Sequence, residues 1–275
     1  MMLNYAKNDT KISYKRFYSK FLQEYTPTGY VPYSFALSIE TLPPICSIKL
    51  TRLYKHSLNI IANLFQRADI VNVYSEYQEV LKKILHCVLH EDFDINTFMK
   101  VTDDDYHIQA HSINVAVYAI HLGVFLKLEE KQLLELGEAA LFHDLGKRNI
   151  DKKIVNKEGK LSSEEFQKMK AHSVIGYNIS RQIGIHNKNV LDGIRFHHEK
   201  MDGSGYPYGL KGDKIPLYAR IIGICDAFDA LTTNRCYGNS VSSFEALMLI
   251  SNTMRNQVDM NLLKQMIMMF QKLEA

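Results

Sequence analysis

Seven side chains between residues 111 and 226 carry the donor chemistry of a metal centre: His111, His143, Asp144, His172, His197, His198 and Asp226. His143 and Asp144 are adjacent in "ALFHDLGKRNI" and can offer a nitrogen and an oxygen to one divalent ion. The second carboxylate oxygen of Asp144 is then free to bridge to another ion. His197 and His198 open "HHEKMDGSGYP", and adjacent residues share neither a helix face nor a strand face. Either one is buried while the other decorates the surface, or both converge on a common ligand. Asp226 falls in the apolar stretch "GICDAFDALTTNR", where an acid needs a partner. A single histidine on an apolar helix is ordinarily a satisfied core or surface imidazole. Five histidines and two aspartates on separate helices are another matter, because inward-facing side chains of this kind build two-metal sites in bundles.

The elements that must position these residues read as helices. Apolar residues at Leu53, Ile60, Ile61, Leu64 and Phe65 follow a 3.6-residue period, and "VYSEYQEVLKKILHCVLH" from Val73 continues it. The acidic stretch "TDDDY" at 102–106 predicts an N-cap and first turn for a helix through about Leu126. Further helices are predicted over 130–146, 162–183, 187–198, 216–235 and 242–271. The first 98 residues differ in character: "TPTGYVP" is a loop signal, and Pro43-Pro44 interrupts "SFALSIETLPPICSIKL" into strands and turns. The expected organisation is an N-terminal region, 1–98, of mixed α/β or helical structure, followed by a mainly α helical bundle over 99–275.

Composition narrows the function classes. With 275 residues and 46% hydrophobic content the chain can bury a full core. Its net charge is only +3, from 33 basic and 30 acidic side chains, so no polymeric nucleic acid partner is expected. Four dispersed cysteines, with no CxxC pair, suit a reduced thiol set and a cytoplasmic setting. The polar, tyrosine-rich start has no apolar signal core. The apolar segment from Val115 is too short to span a membrane and contains a histidine.

"HDLGK" at 143–147, "HHEKMDGSGYPYGLKGDKIP" from 197 and "ARIIGICDAFDALTTNR" from 219 together resemble the HD-GYP family of HD-domain metal-dependent phosphohydrolases. The resemblance covers about residues 105–245 and matches motif order and spacing as well as letters. It implies an all-α domain with a binuclear or trinuclear iron or manganese site that hydrolyses cyclic di-GMP to pGpG, and onward to GMP. Carried over by position, His111, His143, Asp144, His172, His197, His198 and Asp226 are the implied metal ligands. Asp144 is the implied bridging carboxylate and catalytic centre, beside an attacking hydroxide shared by the metals. Asp229 is given no ligand role, and a helix-terminus or interhelical hydrogen bond is its expected use. Lys147 is the implied cation for phosphate charge, and Arg235 the implied phosphate-binding fork. Gly205, Tyr206 and Pro207 are the implied wall of the substrate pocket. Gly203 and Gly205 would permit backbone geometries closed to other residues, and Pro207 would hold Tyr206 extended.

Three departures qualify the resemblance. The last motif reads "RCYG", with Cys236 in place of a proline and Gly238 in place of a basic residue. That opens the alternatives of another cyclic dinucleotide, 3′,3′-cyclic GMP-AMP, or a weakly active cyclic di-GMP sensor acting through a partner. His107 stands where trinuclear members carry a glutamate, which makes it the candidate ligand of a third metal. The N-terminal region carries no motif of its own and is expected to regulate or to dimerise the chain. "HCVLHED" at 86–92 also has a His-x-x-x-His spacing but no glutamate inside it, and reads as the polar end of a helix.

Overall fold

The central helix of the fold is enclosed on every side. The computed structural model describes residues 54–62, 74–90, 108–233 and 241–271, with Ile95, Phe98 and Met99. All of them fall in one compact unit, Ile39–Ala275. After a helical stretch over 54–62 come α1 (Tyr74–His90), α2 (Ile108–Phe125), α3 (Glu130–Phe142), α4 (Lys152–Val155), α5 (Ser163–Lys170), α6 (His172–Gln182), α7 (Lys188–Phe196), α8 (Leu217–Thr232), α9 (Ser243–Thr253) and α10 (Met260–Gln271). There is no strand among the described residues. The sequence reads as mainly α, and the described part is a helical bundle. The strands and turns expected before residue 50 lie outside the described residues.

Helix α2 buries Ala110, Ile113, Val115, Ala116, Val117, Tyr118, Ala119, Ile120 and Leu122, so it has no solvent face to pattern. It is flanked by α1, α3 and α8, while α7 packs on α3, α6 and α8. Perpendicular ring pairs knit these layers: Tyr77 on Phe142 at 4.7 Å and Tyr118 on Phe228 at 5.2 Å. Helix starts follow capping chemistry. Ser162 and Glu165 form a capping box on α5, Ser242 and Glu245 another on α9, and Asn187 caps α7.

The helix ends differ from the expected ones at three places. Helix α3 stops at Phe142 instead of 146, and a 3₁₀ turn, Leu145–Asn149, follows. Gly146 explains this, because its backbone lies against the start of α6: a Cβ there would stand 1.9 Å from the His172 carbonyl oxygen. The expected helix 162–183 is broken at Ala171, where Ser173 Oγ and His172 Nδ1 donate to the Lys170 and Met169 carbonyls and compete with the main-chain ladder. The expected helix 242–271 divides because Asp259 accepts from the backbone of Asn261 and Leu262 and starts α10 afresh. Among the described residues no helix is long and apolar enough to cross a membrane.

The close approach at Gly146 carries a testable cost. Gly146→Ala must push α6 from the turn that follows α3, and overpacking of this kind costs about 3 kcal/mol. Urea denaturation of the variant is expected to show that loss. A midpoint equal to that of the parent chain would mean the contact is not tight.

Candidate metal centre

Two pairs of residues spaced i, i+3 bring α2 and α8 together. His111 and Asn114 on α2 face Asp226 and Asp229 on α8, with His111 Nδ1 donating to Asp229 Oδ2 at 2.6 Å and Asn114 Nδ2 to Asp229 Oδ1 at 2.9 Å. Thr233 Oγ1 also donates to Asp229, at 3.1 Å. Asp229 is fully buried and spends both oxygens on these partners. The other ring nitrogen of His111, Nε2, faces Asp226 Oδ1 at 3.1 Å.

Three of the four remaining histidines of the cluster sit at helix ends and share one device. His143 donates Nδ1–H to the Ala140 carbonyl, His172 to that of Met169 and His197 to that of Ile194, each at 2.7 Å and each three residues back. A carbonyl only accepts, so Nδ1 carries the proton in all three rings and Nε2 presents a lone pair. These lone pairs converge. His143 Nε2 lies 3.3 Å from His111 Nε2, and His172 Nε2 lies 3.3 Å from His197 Nε2.

Asp144 stands between the two sets. Its Oδ2 is 3.5 Å from His143 Nε2, 3.6 Å from His111 Nε2 and 2.5 Å from the Lys147 ammonium. Its Oδ1 is 3.4 Å from His172 Nε2 and accepts no hydrogen bond although it is buried. Asp144, His172, His197 and His198 offer ligand atoms that all lie within 4.8 Å of one another, and His111, His143 and Asp144 form a second such group. Asp226 joins both, through His111 and through His198 Nδ1 at 3.9 Å. Half-buried His198, Asp226 and Lys147 mark the side on which the centre opens.

The electrostatics follow from burial and charge. Burial pushes His143, His172 and His197 below the usual imidazole range, and pulls His198 down to about 3. These rings are neutral, as ligands must be. Burial opposes ionisation of Asp144, but Lys147 and the neighbouring imidazoles outweigh it and hold the carboxyl well below its usual range. Asp226 is held down in the same way against burial, chiefly by His111. His111 itself is disfavoured as a cation by burial, yet Asp226 and Asp229 lift it to about 9. The proton this implies lies between His111 and Asp226, the position a cation takes over.

These observations fit a divalent metal pair. Converging neutral lone pairs at 3.3 Å repel one another unless a cation stands between them, and the orphaned Asp144 Oδ1 lacks a donor for the same reason. The set of imidazoles and carboxylates suits iron, manganese and zinc alike.

The GYP loop is built onto the histidine pair. Tyr206 donates its backbone N–H to the His198 carbonyl at 3.2 Å, and its ring stacks on the His198 ring at 4.7 Å. Gly203 has φ +83, as a glycine is needed to supply. Gly205 is required for space instead: a Cβ there would stand 2.4 Å from the Lys200 nitrogen and 2.5 Å from the His198 oxygen. The Tyr206–Pro207 peptide is cis. Burial, then the Asp226 and Asp144 charges, push the Tyr206 hydroxyl up, so it meets the site as a donor.

The structure thus brings all seven expected ligands together, with Lys147, Gly205 and Tyr206 beside them. His107 and Arg235, with Cys236 and Gly238, lie outside the described residues. His86 is exposed on α1 and belongs to no ligand grouping among the described residues. Two residues escaped the sequence reading. Glu199 is buried and accepts from the backbone of Tyr208 at 2.7 Å and Leu210 at 2.8 Å, which holds the loop to the histidine pair. Asn114 was detectable as a polar residue in an otherwise apolar helix, one turn from His111.

Comparison with known proteins places this geometry in a family. A family model described as "HD domain" matches residues 98–262. A cyclic di-GMP phosphodiesterase of Pseudomonas aeruginosa is 32% identical over 62% of this chain and 41% of its own length. A 3′3′-cGAMP-specific phosphodiesterase of Vibrio cholerae is 33% identical over 60% of this chain and 36% of its own. The chain therefore spans about two fifths of the length of the curated relatives it matches. A solved HDG"Y"P protein from Bdellovibrio bacteriovorus shares the fold, with a TM-score of 0.70, 18% identity and coverage of 86% of this chain and 75% of that one. The matched segment spans more than half of the chain and encloses every residue of the cluster, and the chain belongs to the HD domain family.

Proposed function

We propose that the chain is a metal-dependent phosphodiesterase that opens cyclic di-GMP to pGpG, and onward to GMP, with iron or manganese in the centre. The observation that carries this reading is Asp144, which turns one oxygen to each of two ligand sets. His111, His143, Asp144 and Asp226 would hold one ion, and Asp144, His172, His197 and His198 the other. Bound there, divalent ions lower the pKa of a water into the neutral range and neutralise charge on phosphate oxygens. The chain's own residues do the rest. Lys147 holds a cation at Asp144 on the open side, where a phosphate oxygen enters. The Tyr206 hydroxyl and the loop that Glu199 pins form the adjacent wall. In the reaction a water oxygen bonds phosphorus, the bond to the 3′ oxygen breaks, and that oxygen takes up a proton. His107 is the proposed ligand for a third ion, and Arg235 the proposed phosphate fork.

Relatives named as cyclic di-GMP phosphodiesterases support the substrate. Three relatives named as 3′3′-cGAMP-specific support a second reading, in which the hybrid dinucleotide is the better substrate. The four dispersed cysteines, with no CxxC pair, and the buried Cys225 thiol support a reducing, cytoplasmic setting. The region up to residue 98 is the proposed regulatory or dimerisation segment. Packing of α1 on α2 and α3, with Tyr77 donating to Glu138, supports a route for such input.

Two experiments test the centre. Protein purified without oxygen and loaded with iron or manganese is expected to convert cyclic di-GMP to pGpG, read by chromatography. Asp144→Ala should lower the rate by more than about a hundredfold, beyond the ~10–100-fold typical of an outer-shell change. Faster turnover of 3′,3′-cyclic GMP-AMP would favour the second reading, and turnover of neither would sink both. Asp229 acts on the metals only through His111, as a positioning residue. Asp229→Asn is expected to weaken metal retention against a chelator by about 10–100-fold with the melting temperature within a few degrees of the parent. Unchanged metal affinity would remove Asp229 from that role.

A further inference from the structure

Helix α5 buries none of its residues, yet it is firmly held. Its capping box fixes one end, and an ion pair from Lys157 to Glu165 at 2.6 Å ties it to the preceding loop. Its last turn supplies the Met169 carbonyl that orients His172. On this helix Phe166 and Lys170 are spaced i, i+4 and share a face. Phe166 is 46% exposed, one of few large apolar side chains so placed among the described residues. A lone exposed phenylalanine needs no explanation, but this one has specific company. Its ring meets the Tyr206 ring edge-on, with centroids 6.3 Å apart at 86°. The Lys170 ammonium lies 4.9 Å from the Phe166 centroid and 5.8 Å from that of Tyr206. Tyr206 in turn is stacked on the metal-cluster residue His198. An aromatic corner capped by a cation therefore runs outward from the metal centre, and nothing in the hydrolysis itself uses it.

We infer that Phe166 and Lys170 form the subsite for the second nucleotide of the substrate, the one not undergoing cleavage; this rests on the cyclic-dinucleotide reading above. A purine stacks on the free part of the Phe166 ring, since aromatic side chains hold unpaired bases by their π-faces. Lys170 pairs with the second phosphate while remaining over the two rings. The metal centre handles the scissile phosphate, and this corner reads what is attached to it.

The test compares two substrates of the metal-loaded protein: cyclic di-GMP, and bis(p-nitrophenyl) phosphate, which has no second nucleotide. Phe166→Ala is expected to lower the ratio of kcat/KM for cyclic di-GMP to kcat/KM for the small diester by about tenfold, through KM. Phe166→Trp should retain the ratio. Lys170→Met should lower it by a similar factor, and Lys170→Arg should retain it. Calorimetric titration with a phosphorothioate analogue of cyclic di-GMP should show the same tenfold weakening in Phe166→Ala. Parallel losses on both substrates, or an unchanged ratio and an unchanged affinity, would overturn this inference while the phosphodiesterase reading stands. A parent protein that cleaves the small diester but neither turns over nor binds the cyclic dinucleotide would overturn the subsite and the substrate together.

Discussion

The Nδ1 protons of the buried histidines are committed before any ligand arrives, and the site is arranged around that commitment. Three rings give this proton to the carbonyl three residues earlier, and the fourth gives it to Asp229. The Nε2 atoms of His143, His172 and His197 are left as lone pairs directed inward, those of His172 and His197 only 3.3 Å apart. Such an arrangement is unfavourable in isolation, because an unsatisfied buried polar group costs about 1–3 kcal/mol. The surrounding bundle supports it through a central helix that is buried on all sides and through ring pairs between layers. Binding of cations to this centre and stability of the fold are consequently linked.

The same hydrogen bonds explain which features were legible in the sequence. The residues that converge in the cluster were, because histidine and aspartate are rare enough on apolar helices for seven of them to stand out, and their spacing matched a known motif order. Helix limits were less so. Periodicity runs through 143–146 and 171 without interruption, since the break at each place comes from a side chain competing for a carbonyl or from another helix passing over Gly146. For Asp229 the sequence leaves a helix-terminus or an interhelical hydrogen bond open, and the structure shows both, to Thr233 and to His111 and Asn114. Glu199 could not be read in this way, since its partners are backbone groups of a loop whose path no propensity describes. The exposed corner at Phe166 was equally silent, because its meaning depends on Tyr206, forty residues away.

The histidine pair and the loop after it behave as one unit. The His198 carbonyl accepts from Tyr206, its ring carries the Tyr206 ring, and its neighbour Glu199 holds the Tyr208 and Leu210 backbone donors of the loop. Gly205 lets the loop fold back onto that carbonyl. A displacement of the loop therefore displaces a candidate metal ligand. Binding at the wall and chemistry at the centre are coupled by three hydrogen bonds and one stacked pair, with no intervening element.

This coupling bears on how one helical scaffold can serve related cyclic dinucleotides. The centre contains imidazoles, carboxylates and one lysine, and nothing in it distinguishes guanine from adenine. On the proposed function each group there addresses a phosphate or a cation. For the proposed substrate, discrimination between bases has to arise where flat apolar surface and hydrogen-bonding groups lie farther out, on the open side marked by His198, Asp226 and Lys147. Relatives with similar identity to this chain bear names for two different dinucleotides, which is what a shared centre with separately varying walls would produce. Selectivity can then change by substitution at the rim, with the ligand set and its committed protons left intact.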